Sequence, residues 1–382
     1  MNILLLSPKY PPSQGGVEVQ IELLANELVK RGHKVVVITS SEPHAPTIEF
    51  PNGVRIFRYP LPSTPLDYWN GYQFIQNNLS NILRILSSEQ IDIIHVHQFE
   101  MSVSFVHQLR EITATPIVVT VHTSLSCNKQ YQQSCGILKK MIRLIPIQLL
   151  EKQSIREADY LITVSDELNR FCKSVRGDEK VTTIYPAIDL DKFAPPPIPS
   201  SQTHTILCPG RISPEKGQAL LIDALSIARN TVDINVIFLG TGTESDMRAL
   251  KLKVLDSGLM DNVLFFPPIP YAAIQDWYKE FPIIVIPSLS ESFGLVALEN
   301  MAVGNTVIAS DVGGLSMLIE SENNGLLFPP DNELVLAAQI VRAVTNPDLR
   351  ESIGKNARET AQGYSINLAV NKIERIYTEV IG

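Results

Sequence analysis

Short apolar runs alternate with segments of helical period along almost the whole chain. Residues 3–6 form an apolar run of strand length, residues 17–31 repeat apolar positions at helical spacing, and residues 34–39 are again a short apolar run. The rhythm returns at 92–96, 117–121 and 160–164, each run followed by a helical pattern. Strands apolar at nearly every position predict a parallel sheet covered on both faces by helices. Gly32, between Arg31 and His33, is expected to close the first helix in the left-handed conformation. The pattern breaks from Tyr185 to Ser201, where Pro195, Pro196, Pro197 and Pro199 suit a semi-rigid linker. It then restarts, with strands expected at 205–209, 235–239, 263–266, 283–286 and 306–309, and a last amphipathic helix at 366–381. The fold class is therefore α/β, with two Rossmann-like, doubly wound domains. These are expected at 1–195 and 196–364, facing a cleft lined by the C-terminal strand edges, where such sheets bind ligands.

Composition narrows the function. A chain of 382 residues with 45% hydrophobic content supplies two cores. It carries 32 Lys+Arg against 40 Asp+Glu, with a pI near 5.5. That balance argues against non-specific nucleic-acid binding, which needs a basic footprint. The apolar start lacks a basic flank and runs into Ser7-Pro8, so it reads as a first strand rather than a signal peptide. No apolar run approaches the ~20 residues of a membrane span. Cys127, Cys135, Cys172 and Cys208 show no metal-like pairing, and a cytoplasmic protein with reduced thiols is expected.

The chemistry concentrates at strand-to-helix turns. After the strand at 283–286, a polar loop delivers Glu291, and a helix is expected to start near Phe293-Gly294 with Glu299 inside it. Glu291 then lies beside free backbone N–H groups at the helix mouth, while Leu295, Val296 and Leu298 keep Glu299 off a solvated face. After the first strand of the second domain come Gly210-Arg211 and Glu215-Lys216-Gly217. A planar guanidinium and an ammonium at a helix entrance suit a diphosphate. Gly15-Gly16 occupies the first turn of the first domain, and Gly240 and Gly242 a later turn, each allowing close backbone approach of a phosphate or nucleotide. The first turn is not a GxGxxG, which disfavours a free dinucleotide cofactor.

Several features read more plainly. His122 ends a buried strand on the cleft side. His95 and His97 share a strand face but lack a third ligand at zinc spacing. Asp189-Leu190-Asp191 lies in the linker and reads as a turn. From Ile137 to Ile155, Lys139, Lys140 and Arg143 sit among apolar residues. This is an ordinary packing helix shortened or kinked by Pro146, or else a weak peripheral contact with an anionic membrane surface.

Taken in order, these motifs resemble the retaining, GT-B-fold glycosyltransferases of glycosyltransferase family four. The matching residues are Gly15-Gly16-Val17-Glu18, Arg31-Gly32-His33-Lys34-Val35, Ile94-His95-Val96-His97, Thr163-Val164-Ser165, Gly210-Arg211, Glu215-Lys216-Gly217, Pro287-Ser288, Glu291 through Glu299, and Ser310-Asp311-Val312-Gly313-Gly314. The resemblance implies that Arg211 and Lys216 bind the diphosphate of a nucleotide-sugar donor, UDP being favoured and GDP the alternative. Backbone at Gly15 and Gly16 would help. Glu299 would hold the ribose. Glu291 and the amides of Phe293, Gly294 and Leu295 would grip the transferred sugar, with His122 near it, and Gly240, Gly242 and Ile269 would lie by the nucleobase. It further implies a final helix, about 365–382, packed back on the first domain, and metal-independent transfer of a hexose-type sugar to a hydroxyl with no cofactor. Tyr10, Gln98 and Ser124, in loops after first-domain strands, are candidate acceptor contacts. Leu315-Ser316 replaces a usual Pro-Glu and Pro186-Ala187-Ile188 a usual Pro-Asn-Gly, which points to a specialised branch. The competing classes are a GT-B-fold nucleotide-sugar epimerase and a catalytically silent nucleotide-sugar-binding protein.

Overall fold

A computed structural model of the chain describes residues 1–13, 15–43, 45–61, 67–98, 102, 104–124, 126, 145–177, 179–196 and 203–382, with 67–69 and 98 as backbone alone. The chain divides into two compact units, Met1–Ala187 with Ile366–Gly382, and Ile188–Ser365.

The first unit is built on β1 (Asn2–Leu6), β2 (Lys34–Ser40), β3 (Ile48–Glu49), β4 (Arg55–Tyr59), β5 (Ile93–Gln98), β6 (Ile117–Val121), β7 (Tyr160–Thr163) and β8 (Val181–Thr183). They form one sheet in the order β3-β4-β2-β1-β5-β6-β7-β8, parallel except for β3. Side chains alternate across a strand, and here both faces are buried. Ile3 and Leu5 enter one core with the helix Gly16–Lys30 and the final helix Ile366–Ile381; Leu4 and Leu6 enter the other. The first helix closes as its sequence demands: Gly32 adopts φ +86°, and His33 N donates to Leu28 O at 3.1 Å. Arg31, just before it, donates to Glu374 Oε2 at 2.7 Å and Asn371 Oδ1 at 2.6 Å, pinning the final helix to the first. β4 escapes the sequence pattern because it buries only alternate residues, one of them the fully buried Arg58.

The second unit has β9 (Thr205–Pro209), β10 (Asn235–Leu239), β11 (Val263–Phe266), β12 (Ile283–Ile286), β13 (Thr306–Ser310) and β14 (Leu326–Phe328). All are parallel, in the order β11-β10-β9-β12-β13-β14. The strand order reverses at β9, between β10 and β12, which makes the loops after these strands the place for a ligand.

One expectation is corrected. The change of unit falls at Ala187–Ile188 rather than at 195–196. Ile188 N donates to Tyr364 O at 2.9 Å, and the Phe193 ring lies 6.1 Å from Tyr271 and 6.0 Å from Tyr278, so this stretch packs into the second unit before the prolines begin. Pro146 lies in the helix Ile145–Glu157. Residues 137–144 of the proposed membrane segment, with Cys127 and Cys135, lie outside the described residues. Among the described residues no helix is long and apolar enough to cross a membrane. Asp189 forms the expected turn, its Oδ1 accepting from Asp191 N at 3.0 Å.

Candidate active site

Three loops of the second unit interlock at the strand ends. The loop after β9 makes a short turn, Pro214–Lys216, and Gly217 then caps the helix Gln218–Ala228. Lys216 thus ends that short turn, directly before the capping Gly217, rather than opening the helix. Gly217 has φ +67°, and a Cβ there would lie 1.9 Å from Pro287 O, so the backbone after β12 passes where any side chain would be. Leu289 N donates to Glu215 O at 2.8 Å and ties the two loops together. This close approach brings Lys216 Nζ to 2.5 Å from Glu291 Oε2, with both side chains about a quarter exposed.

The third loop follows β13. Gly314 N donates to Glu291 O at 2.9 Å, and a Cβ on Gly314 would meet Phe293 Cα at 2.3 Å. The Gly313-Gly314 pair therefore clamps the loop carrying Glu291. Behind the β9 loop, Ile212 N donates to Thr241 O at 2.8 Å and Gly210 N to Leu239 O at 3.0 Å, so Gly240 and Gly242 pack directly against its backbone. Arg211 is exposed, 3.9 Å from Glu215. Ile269 is half-buried in the loop beyond β11, Phe293 is buried and Leu295 half-buried.

Gly294 caps the helix Leu295–Val303, whose first amides face the loop that carries Glu291. Glu299 lies inside this helix and is 4% exposed. Its carboxylate accepts from Tyr271 Oη at 2.8 Å and Tyr278 Oη at 3.2 Å. Burial pushes its pKa up to about 7, against the opposing pull of both hydroxyls and of the Lys192 ammonium. Lys192 is held by Tyr271 O at 2.8 Å and lies 3.4 Å from the Tyr271 ring centre. The two glutamates therefore differ in kind: Glu291 pairs with Lys216 at a loop mouth, and Glu299 is a sequestered carboxyl that ionises near neutrality. Tyr271, Tyr278 and Lys192 escaped the sequence reading because they come together only through the folded chain.

In the first unit, Gly15 and Gly16 are exposed where the first helix opens. Tyr10 is not available to an acceptor as expected: it is 2% exposed, 6.0 Å from the Arg58 guanidinium, and burial raises its pKa. Ser124 is buried as well. Gln98 pairs with Val121 at the end of β5, and its side chain lies outside the described residues. His122 follows β6, half-buried, and belongs to a stack of three imidazoles. His95 and His97 have ring centres 4.4 Å apart, and His97 Nδ1 lies 3.0 Å from His122 Nε2. Burial lowers the pKa of His95 to about 3 and of His122 to about 4, and holds His97 well below its ordinary value. All three are neutral at pH 7. The shared face of His95 and His97 was legible in their spacing; their connection to His122 was not.

Two parallel-sheet units, with interlocked basic and acidic loops at the strand ends of the second, define the GT-B class of sugar-transfer folds. Residues 14–192 match the model of Glycosyltransferase Family 4, and residues 192–360 that of Glycosyl transferases group 1. The chain belongs to this glycosyltransferase family. A protein named D-inositol 3-phosphate glycosyltransferase, from Kribbella flavida, is 31% identical over 296 residues, covering 72% of this chain and 68% of the relative. Sucrose-phosphate synthase from Thermosynechococcus elongatus superposes with a TM-score of 0.82 at 23% identity, covering 99% of each chain. Anabaena HepE in complex with UDP-glucose superposes with a TM-score of 0.78 at 20% identity, covering 99% of this chain and 100% of that one.

Proposed function

We propose that this chain is a retaining glycosyltransferase that moves a hexose-type sugar from a nucleotide-diphosphate sugar, UDP favoured, to a hydroxyl of a sugar, lipid or small-molecule acceptor. The observation that carries the reading is the Lys216–Glu291 contact at a helix mouth whose loops can approach only because Gly217 and Gly314 lack side chains. When the bond to the anomeric carbon breaks, negative charge grows on the departing diphosphate. Lys216, Arg211 and the amides before Leu295 supply fixed positive potential there. Glu291 competes for Lys216 in the free protein, and a bound diphosphate would share that ammonium. The sugar hydroxyls would then take up the acceptor capacity of Glu291. Glu299 would accept from the ribose hydroxyls beside Tyr271. The acceptor hydroxyl attacks from the face the diphosphate leaves, and a diphosphate oxygen takes its proton. With two basic side chains and a helix terminus at the leaving group, transfer needs no divalent ion. A relative that acts on D-inositol 3-phosphate and a neighbour that binds UDP-glucose support a UDP-hexose and a polyol acceptor.

A thermal-shift screen of nucleotides and nucleotide sugars tests the donor assignment, because a ligand specific for the native state raises the melting temperature by mass action. UDP or UDP-hexose is expected to raise it. No response to any nucleoside diphosphate overturns the reading. Incubation of responding sugars without acceptor separates the alternatives: isomerised nucleotide sugar identifies an epimerase, and binding without turnover on any acceptor a silent binder.

A further inference from the structure

Three histidines of the first unit lie in contact one after another. His95 is fixed on both ring nitrogens, Nδ1 at 2.6 Å from Tyr377 Oη on the final helix and Nε2 at 2.7 Å from Thr120 Oγ1 on the next strand. His97 stacks on it, and the contact from His97 Nδ1 to His122 Nε2 continues the chain to the end of β6. His97 Nε2 is buried and has no hydrogen-bond partner among the described residues. The walls around His97 and His122 are mainly aliphatic, with Leu24, Ile162, Ile184 and Ile373 lining the same cavity of about 50 Å³.

A neutral imidazole carries one N–H and one bare nitrogen, and the hydrogen bond made by one ring fixes the tautomer of the next. Were the His97 proton on Nε2, a buried N–H would face aliphatic walls with no protein acceptor, the costlier of the two orphans. With the proton on Nδ1, the N–H has a partner and only a lone pair is left over. His97 Nδ1–H then donates to His122 Nε2, and the His122 proton must sit on Nδ1. That atom makes no hydrogen bond among the described residues and is not among the buried unpartnered atoms, so it is open to a ligand.

We propose that His97 is a positioning residue that sets the tautomer of His122, so that His122 presents an Nδ1–H donor, and not a lone pair, to an oxygen of a ligand bound at the end of β6. The depressed basicity of the whole stack keeps that donor neutral, so it would orient a ligand oxygen without adding charge. That the ligand oxygen belongs to a sugar rests on the sugar-transfer reading under Proposed function; the tautomer does not.

Histidine-selective ¹⁵N NMR of the full chain at pH 7.5, with the His122 signals assigned by their loss in His122→Gln, reads the tautomer directly. The expected result is a protonated Nδ1 and a bare Nε2 on His122; the opposite pattern overturns the proposal without need of any His97 variant. In His97→Phe, His122 is expected to become a mixture of tautomers, and kcat/KM to fall about three- to tenfold, the value of one hydrogen bond. His97→Asn, whose amide nitrogen falls near the imidazole Nδ1, should restore both the tautomer and the rate. An unchanged His122 tautomer in a folded His97→Phe protein refutes the positioning role. Should the chain prove to transfer no sugar, the NMR result still stands or falls by itself, which separates the two failures.

Discussion

Glu299→Gln is the substitution whose consequences the structure fixes most closely. The carboxyl is 4% exposed, its two protein hydrogen bonds come from neutral tyrosine hydroxyls, and burial raises its pKa from the ordinary 4.5 to about 7. The folded chain thus holds this proton up to about pH 7, while the unfolded chain loses it near pH 4.5. A raised carboxyl pKa favours the folded state below about pH 4.5, and the benefit is lost as pH climbs to 7. The whole shift corresponds to roughly 3 kcal/mol, at about 1.4 kcal/mol per pKa unit. Glutamine keeps the shape and can donate to the tyrosine oxygens, but it carries no charge to desolvate. The variant should therefore gain stability over the natural chain between pH 5 and pH 8, by about 2–3 kcal/mol. In a unit of this size that is a relative rise in melting temperature of roughly 5–10 °C. Paired thermal melts of the two proteins across this pH range are the assay. A stability difference that stays constant with pH, or moves in favour of the natural chain as pH rises, would refute the burial argument. The same variant should respond weakly to UDP, so stability and binding are expected to change in opposite directions.

The other expectations can be taken together. If ribose hydroxyls donate to ionised Glu299, donor affinity in the natural chain should rise roughly tenfold from pH 6 to pH 8, since that span carries the carboxyl across its midpoint; a flat titration by calorimetry would remove Glu299 from the ribose contact. Glu291→Ala should lower kcat about 100-fold with little effect on donor affinity, whereas Glu299→Ala should mainly weaken binding; equal effects on both constants would leave that division unsupported. Gly217→Ala places a Cβ 1.9 Å from Pro287 O at φ +67° and should destabilise the protein by about 2–4 kcal/mol in urea titrations. EDTA should leave transfer rates unchanged, and loss of activity restored by a divalent cation would contradict the leaving-group assignment to Lys216 and Arg211.

Much of the second unit was legible from local pattern. The runs 205–209, 235–239, 263–266 and 283–286 are strands from end to end; all but the edge strand 263–266, where Leu264 and Phe266 are exposed, stand out because a strand buried on both faces is apolar through its middle. β4 and β14 were missed for the converse reason, as was the pair of helices at 67–77 and 79–88: too short, or buried on one face only, to stand out from a turn-rich background. The unit boundary was misjudged because proline content marks where a chain cannot form hydrogen bonds, not where it changes core. Ile188 and Phe193 are ordinary apolar residues whose allegiance depends on Tyr271, Tyr278 and Tyr364, far along the sequence.

For the site, sequence alone determined which charged and glycine residues lie at strand-to-helix turns, because strand and helix periods are local. Glu291, Lys216, Arg211 and the paired glycines follow from that count. Only the tertiary structure decided what each side chain meets. It buried Glu299 under two tyrosines and Tyr10 in the first-unit core beside Arg58, set Lys216 against Glu291, and strung His95, His97 and His122 into one chain anchored by the final helix. Desolvation and hydrogen-bond partnership are made by neighbours from distant segments, and these fix whether a carboxyl ionises at neutral pH and which imidazole nitrogen holds the proton.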